Sequence, residues 1–263
     1  MRNDILTKYQ ATVLERIKKE AFFTENFYLT GGTALAAFYL GHRYSEDLDF
    51  FSEKEVDILP INVFLKSIAG ELHIEKIDFQ QSFNRNLFFL SLGNQILKME
   101  FTFFPFARIE KGIREGELEI DSLLDIAVNK LFTIYQQSRA RDYIDLYFIC
   151  KEKNFFIADL ISKAKIKFDW HMDPLQLGTQ LIKASEVRDY PRLIKEIPAE
   201  EWQAFFIKEA KKLKGEILGC YNELMLYTRK GDKGDTYFFE SKDRFSKSGE
   251  RAEALGALDE LNS

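Results

Sequence analysis

The sequence predicts an α+β fold in which a small mixed sheet is followed by a helical half. Two observations predict it. Up to about residue 120, short apolar or alternating segments are separated by helical patterns and glycine turns. From about residue 121, apolar residues recur only at helical spacing. We therefore expect an α/β core over 1–120 and a helical subdomain over 121–220.

The elements of the first half follow from helix-start and helix-stop residues and from alternation. Thr33 is expected to cap a helix that Gly41 ends, and Pro60 to begin the next one. Alternation from Leu97 to Phe103 is typical of a half-buried strand. The expected order is helix 3–22, strand 27–30, helix 33–40, strand 47–51, helix 60–70 and strands 73–79, 86–92 and 96–103.

The second half predicts helices throughout. Apolar residues at helical spacing are strongest over 122–137 and 139–151. Further helices are expected at about 157–168, 174–184 and 199–215. After residue 225 the pattern changes to a glycine- and charge-rich tail that does not look like the last element of this subdomain.

Composition bounds the function. With 263 residues, 46% of them hydrophobic and 30% charged, the chain can build a core under a charged surface, and its net charge of −5 does not indicate a general polyanion binder. No signal peptide and no apolar run of about 20 residues is recognised, so we expect a cytoplasmic protein with no membrane partner. Cys150 and Cys220 lie far apart without a CxxC spacing, which argues against structural zinc and a disulfide framework.

The segment Leu29–Phe51 carries the strongest chemical signal. Gly31 and Gly32 form a turn at the start of a predicted helix, where backbone N–H groups favour phosphate. Asp47 and Asp49 alternate on the next strand, so both side chains point to one face and are suited to sharing a divalent ion. This combination indicates nucleotide chemistry, and its candidate residues are Gly31, Gly32, Thr33, Arg43, Ser45, Asp47, Asp49, Glu100, Lys130, Asp142 and Asp145.

Glu100 is a candidate third carboxylate, on the polar face of a later strand. If that strand lies beside 47–51, the three acids converge as a two-metal site requires. Each feature alone has a plainer interpretation. A DxD pair is often two solvated acids, a glycine pair is often only a turn, Glu100 faces water equally well, and Thr33 only caps its helix. The joint occurrence favours the metal-and-phosphate interpretation.

Two blocks resemble one known family. They are GGTALAAFYLGHRYSEDLDFF (31–51) and LLDIAVNKLFTIYQQSRARDYIDLYFI (123–149), and together they resemble the AbiEii/AbiGii-type nucleotidyltransferase toxins of the polymerase-β superfamily. The resemblance implies Mg²⁺-dependent (or Mn²⁺-dependent) transfer of a nucleoside monophosphate from an NTP. It implies that Asp47 and Asp49 hold the metals and that Lys130 contacts the triphosphate.

For Asp142 and Asp145 two roles stay open at this point. The resemblance implies a base or structural role, whereas three-residue spacing beside Arg139 and Arg141 equally predicts an ion-pair network that locks two helices together.

The same resemblance implies a toxin-like role in a toxin–antitoxin or phage-defence setting, with a cognate antitoxin. It makes RNA, especially a tRNA 3′ end, or a protein hydroxyl the expected acceptor. Lysine-rich segments would suit a phosphate backbone, although a solvated helix face is the plainer interpretation of each. These lysines are Lys151, Lys153, Lys163, Lys165, Lys167, Lys208, Lys211, Lys212 and Lys214.

The tail carries a second resemblance. YTRKGDKGDT (227–236) and SKSGERAEALGALDELNS (246–263) resemble the N-terminal segment of PduO-type ATP:cob(I)alamin adenosyltransferases. Corrinoid adenosylation is therefore the alternative function. Because the remaining bundle is not seen, we expect 225–263 to be an inactive, loosely packed stub of a fused or truncated reading frame. The residues that the resemblance implies as ATP-facing are Thr228, Gly231, Asp232, Lys233, Gly234, Thr236, Lys247 and Arg251.

Overall fold

A computed structural model describes residues 5–137 and 139–215, together with the backbone of two short strands, 235–237 and 244–246. The chain forms two compact units. One contains residues 1–126 and 192–195, and the other contains 127–191 and 196–263. The predicted domain boundaries near residues 120, 220 and 225 stay predictions.

The first unit contains short helices and a mixed sheet. Its helices are α1 (Lys8–Ile17), α2 (Ala21–Asn26), α3 (Gly31–Ala34), which continues as a π-helical segment over Leu35–Leu40, and α4 (Ile58–Leu72). Its strands are β1 (Tyr28–Thr30), β2 (Leu48–Ser52), β3 (Lys76–Ser82), β4 (Arg85–Leu92), β5 (Gln95–Phe103), β6 (Ile113–Glu115) and β7 (Leu118–Ile120).

The sheet confirms the predicted fold class. Its strand order is β3-β4-β5-β2-β1-β7-β6. The pairs β1–β7 and β2–β5 are parallel and the other pairs are antiparallel, so the sheet is mixed. Thr30 pairs with Asp49, and Asp49 pairs with Glu100. The strand that carries Glu100 therefore lies directly beside the strand that carries Asp49.

Phenylalanine rings fill the core on one side of this sheet. Phe50 and Phe101 are paired on β2 and β5 and stack with their centroids 5.1 Å apart. Phe23 from α2 and Phe88 from β4 also pack on Phe101, and all four side chains are fully buried. Alternation along the strands turns the intervening polar residues to the opposite face. The core thus fixes which face carries the acids.

The opening helix predicted over 3–22 was wrong in extent. The chain turns at Lys18–Glu20, where the backbone N–H groups of Lys19 and Glu20 donate to carbonyls three residues earlier. This turn redirects the chain into α2, so that Phe23 enters the core. Apolar residues recur at helical spacing in both α1 and α2. Periodicity alone therefore predicts one continuous helix where the structure has two.

Three further boundaries differ from the prediction. Asp57 caps α4, which begins before Pro60. His73, predicted as the first residue of a strand, instead ends α4 in the left-handed region (φ 55°), and β3 begins only at Lys76. The short hairpin of β6 and β7 was missed, because strands of three residues are too short to show alternation.

Up to residue 212 the second unit is helical, as predicted for this half of the chain. Helix α5 (Leu123–Gln136) begins four residues before this unit and continues into it. The helices that follow are α6 (Ala140–Lys153), α7 (Ile157–Phe168), α8 (Pro174–Ile182) and α9 (Ala199–Lys212). Its core contains Tyr143 packed between Trp202 and Phe206, and Phe132 stacked on Phe168 with centroids 4.0 Å apart. Within the described residues, no helix combines the length and the apolar character needed to cross a bilayer.

The tail contributes one antiparallel pair, β8 (Asp235–Tyr237) and β9 (Arg244–Ser246). Thr236 pairs with Phe245 in this register. The other predicted ATP-facing residues of the tail, and the predicted loose packing of 225–263, lie outside the described residues. They are Thr228, Gly231, Asp232, Lys233, Gly234, Lys247 and Arg251.

Candidate active site

Gly31 lies directly against the carboxylate of Asp49. It follows the last residue of β1 with φ +70°, a conformation that side chains disfavour. A Cβ atom at this position would be 2.6 Å from Asp49 Oδ2. Thr30, the preceding residue, pairs with Asp49 across the two strands. A glycine is therefore required where the turn passes the second aspartate of the DxD pair.

Gly32 forms a similar close approach to two other predicted residues. A Cβ atom there would lie 2.3 Å from Arg43 Nη2 and 2.9 Å from Ser45 Oγ. Arg43 is buried, and its Nη1 donates to the Tyr44 carbonyl at 2.9 Å. The guanidinium and the hydroxyl thus pack on the glycine backbone. The structure brings together Gly31, Gly32, Arg43, Ser45 and Asp49. Their use as a phosphate site stays a prediction.

Thr33 does not cap its helix, so that expectation was wrong. The helical segment begins at Gly31 after Thr30, and the Thr33 hydroxyl instead donates to the backbone carbonyl of Asp47. Thr33 is fully buried. This hydrogen bond connects the glycine turn to the residue that opens the DxD strand. The threonine therefore positions Asp47.

Asp47 and Asp49 lie at the start of β2, with Asp47 one residue before the strand. The Asp47 side chain is 30% exposed, and its Oδ2 is 3.3 Å from Lys98 Nζ. The i, i+2 spacing turns both carboxylates to the face opposite the phenylalanine core. Lys98 lies on β5 next to this pair, and the sequence analysis did not single it out.

Glu100 is buried and is held by neighbours on three sides. Arg85 on β4 forms a bidentate pair with it, with Nε–Oε1 at 2.9 Å and Nη2–Oε2 at 2.8 Å. The Thr102 hydroxyl donates to Oε1 at 2.8 Å. Burial alone would raise the pKa of the Glu100 carboxyl. The hydrogen bonds and charge of Arg85, helped by Lys98, outweigh burial and lower this pKa below its ordinary value.

The carboxylates fit a divalent metal unequally. Asp47 and Asp49 offer hard oxygen donors on one face, next to the glycine backbone, and this donor type suits Mg²⁺ with several retained waters. Glu100 has its two oxygens engaged by Arg85 and Thr102. Among residues 5–137 and 139–215, no group of three or more His, Cys, Asp or Glu side chains is arranged to hold a metal. The two aspartates fit a metal and Glu100, as it stands, does not.

A segment that sequence analysis missed supports Arg43. Arg192–Lys195 belongs to the first unit, although the chain reaches it after α8. Leu193 forms an antiparallel bridge with Arg43, and the Arg192 guanidinium lies 4.1 Å from the centre of the Tyr44 ring. The Tyr44 N–H donates to the Arg192 carbonyl at 3.0 Å. We name Arg192–Lys195 the strap. No periodicity or motif in the sequence signals it.

The predicted residues of the second block meet in the second unit. Lys130 on α5 donates to Asp142 Oδ1 at 2.6 Å, and its Nζ is 2.9 Å from Asp145 Oδ2 on α6. Both carboxylates are buried, and Lys130 is 12% exposed. The cluster joins α5 and α6 through ion pairs of Asp142 and Asp145 with Lys130. The structural interpretation from the sequence named Arg139 and Arg141 as the partners instead. In this geometry the two carboxylates hold the Lys130 ammonium group in place, and the lysine in turn holds the carboxylates.

A mixed sheet with a glycine turn packed against an Asp-x-Asp strand fits the nucleotidyltransferase class that the sequence predicts. Residues 12–213 match the model of the family described as Nucleotidyl transferase AbiEii toxin, Type IV TA system. The chain belongs to this family, and its enzyme class is therefore nucleotidyltransferase. Residues 226–263 match the cobalamin adenosyltransferase family model.

Similar proteins extend over most of the chain. The uncharacterized protein aq_aa25 of Aquifex aeolicus is 28% identical over 210 residues, covering 79% of this chain and 97% of the other. The crystal structure of JHP933 from Helicobacter pylori superposes with a TM-score of 0.53 at 21% identity, covering 84% of this chain and 98% of that one. The crystal structure of a second Helicobacter pylori protein superposes with a TM-score of 0.52 at 22% sequence identity, covering 82% of this chain and 99% of that one. These two structures share the fold.

Proposed function

We propose that the chain transfers a nucleoside monophosphate from an NTP to an acceptor hydroxyl, with Mg²⁺ or Mn²⁺ held by Asp47 and Asp49. The observation that carries this proposal is the contact of the glycine turn with Asp49 on one side and with Arg43 on the other. Phosphate-binding backbone, a buried cation and metal-binding oxygens are then adjacent. Phosphoryl transfer needs this positioning and neutralisation of charge.

Each residue has a stated part in this proposal. Gly31 and Gly32 let the Asp49 carboxylate and the Arg43 guanidinium pack against the turn. The N–H groups of the turn, the Arg43 guanidinium and the Ser45 hydroxyl then bind the oxygens of the triphosphate. Thr33 orients Asp47. The bound metal would stabilise the negative charge that develops when the acceptor oxygen bonds to the α-phosphorus and pyrophosphate leaves. Lys130 is proposed to contact the triphosphate, with Asp142 and Asp145 holding its ammonium group.

Glu100 enters this proposal as an anchor for Arg85 in the conformation described. It becomes a third metal ligand only if Arg85 releases it, which would leave the largely buried Arg85 guanidinium to be paired elsewhere. The function therefore does not depend on a three-carboxylate site.

The proposed biological setting is that of a toxin with a cognate antitoxin, in line with the family. RNA, especially a tRNA 3′ end, or a protein hydroxyl is the proposed acceptor. If RNA is the acceptor, lysine-rich α7 would contribute to binding the phosphate backbone, and binding would weaken steeply with salt. The corresponding measurement is acceptor affinity at several ionic strengths.

Corrinoid adenosylation is a second candidate, supported by the match of 226–263 alone. The two reactions differ in their products, because nucleotidyl transfer releases pyrophosphate and adenosylation releases triphosphate. They also differ in their residues, since Asp47→Asn would stop the first reaction and leave the second unchanged.

The test is incubation of the full chain with each α-³²P-labelled NTP, Mg²⁺, total RNA and protein extract. Wild type is compared with Asp47→Asn/Asp49→Asn. Label in RNA or protein with wild type only would support the proposal and identify donor and acceptor class. Equal labelling by the double variant would overturn it. Absence of label with every NTP would reject nucleotidyl transfer to these acceptors and direct attention to the corrinoid reaction.

A further inference from the structure

Lys98 lies among the acids on the carboxylate face of the sheet, and the proposed mechanism does not use it. Its Nζ is 3.3 Å from Asp47 Oδ2 and 3.7 Å from Glu100 Oε2. It precedes Glu100 by two residues on β5, so both side chains point to the same face. Lys98 therefore brings one positive charge to the position where the two strands present their carboxylates.

Both distances are long for a charge-assisted hydrogen bond, which is typically about 2.7–2.9 Å. The buried Lys130 forms contacts of 2.6 and 2.9 Å with its two acids. Lys98 is 24% exposed and has a flexible four-carbon stem. Its ammonium group is thus attracted by charge without being fixed by short hydrogen bonds, and it can leave without breaking a buried network.

Glu100 depends on Arg85 for most of its charge balance, and Lys98, at 3.7 Å, contributes less. The bidentate pair with Arg85 already neutralises the Glu100 carboxylate. The charge of Lys98 is consequently available to Asp47, one of the two proposed metal ligands. Without metal, Lys98 reduces the repulsion between acids that alternate on one strand face.

We propose that the Lys98 ammonium group is a resident counter-cation of Asp47 that a divalent metal displaces on binding. This inference rests on the proposed function, which assigns the metal to Asp47 and Asp49. A divalent ion at about 2.1 Å from a carboxylate oxygen carries twice the charge of an ammonium group at 3.3 Å from the same oxygen. The metal displaces Lys98, but the lysine weakens metal affinity and holds the metal-free acids together.

The test compares Mn²⁺ binding to wild type, Lys98→Met and Asp47→Asn, by the electron paramagnetic resonance signal of free Mn²⁺. Methionine removes the charge and retains most of the side-chain volume. Lys98→Met should bind Mn²⁺ about tenfold more tightly than wild type. Lys76→Met is the matched control, because Lys76 pairs with Asp78 at 2.7 Å on the exposed edge of the same sheet. The control should bind like wild type.

A second readout is thermal unfolding of the full chain. Lys98→Met should lower the melting temperature without metal, and saturating Mn²⁺ should raise it more than in wild type. If Lys98→Met binds Mn²⁺ no more tightly than wild type while Asp47→Asn loses binding, the counter-cation proposal is overturned and the metal site stands. If Asp47→Asn binds Mn²⁺ as well as wild type, the metal site itself fails, and the Lys98 proposal with it.

Discussion

Gly32 and Arg43 touch so closely that a methyl group on the glycine would lie 2.3 Å from the guanidinium Nη2. Gly32→Ala must therefore push Arg43, and with it Ser45, away from the turn. A displacement of about 1 Å at a reacting group can reduce rate about 100-fold. We expect a loss of that order in kcat/KM for the NTP, with little change in the free energy of unfolding. Steady-state kinetics and urea unfolding provide the measurements.

Gly70→Ala is the control for this substitution. Gly70 lies in α4, and a methyl group added to it would meet nothing within 4 Å beyond its own helix. Alanine also favours the helical conformation over glycine by about 1 kcal/mol. Full activity is expected for the control. Wild-type kinetics in Gly32→Ala would show that Arg43 does not contribute to nucleotide binding.

The pair of Arg85 and Glu100 predicts a large effect on stability from a single substitution. Arg85→Met leaves the Glu100 carboxylate buried beside an apolar side chain, which should destabilise the protein by about 3 kcal/mol. Arg85→Met/Glu100→Gln removes both charges and should recover most of that loss. Urea unfolding of the two variants is the measurement. Equal stability of the single variant and wild type would refute this account of the pair.

The same pair predicts a pH dependence. Arg85 and its neighbours lower the pKa of Glu100 in the folded protein below the unfolded value of about 4.3. A lowered pKa contributes stability above pH 4.3, and that contribution is lost as pH falls through the folded pKa. Wild type should therefore lose more stability than Arg85→Met/Glu100→Gln on going from about pH 6 to pH 3. If the free energies of unfolding of the two proteins changed in parallel with pH, this contribution of Glu100 would be disproved.

The strap predicts an effect from a position outside the candidate site. The Ile194 N–H donates to the His42 carbonyl at 2.8 Å, beside Arg43. Ile194→Pro removes this donor, whereas Ile194→Ala keeps it. Losing one hydrogen bond of about 1 kcal/mol should raise the NTP KM roughly fivefold in the proline variant only. The measurement is the KM for the NTP in the two variants. Identical KM values would exclude a role for the strap in nucleotide binding.

Substitutions at Lys130 distinguish a structural role of this residue from a catalytic one. Lys130→Met leaves Asp142 and Asp145 buried without its charge, and we expect destabilisation of about 3 kcal/mol or more. Lys130→Met/Asp142→Asn/Asp145→Asn removes all three charges and should restore folding without restoring transfer. Circular dichroism and the labelling assay measure the two properties. Restored transfer would make the lysine purely structural. Lys212→Met, which removes an exposed pair with Glu209, serves as the surface control.

The sequence alone determined the α+β class, because strand alternation and helical spacing are local signals that survive in isolation. It also named Gly31, Gly32, Arg43 and Ser45 as candidates for one phosphate site, and their contacts with each other and with Asp49 come from the structure. A glycine turn that opens a short helical segment, with alternating acids on the next strand, limits the paths by which the chain can return. The capping role expected of Thr33 was wrong, because its hydroxyl donates to the Asp47 carbonyl across the turn instead of capping its own helix.

Only the tertiary structure decided the partners of the acids. Glu100 had the predicted strand position, but the register of β4 against β5 brought Arg85 to it, and no local pattern encodes a register. Lys98 was visible as the residue two before Glu100, yet its contact with Asp47 depends on β2 lying beside β5. The strap joins residues about 150 positions apart through backbone hydrogen bonds, which depend little on the identity of the side chains. Long-range contacts of this kind leave no periodic trace in a single sequence.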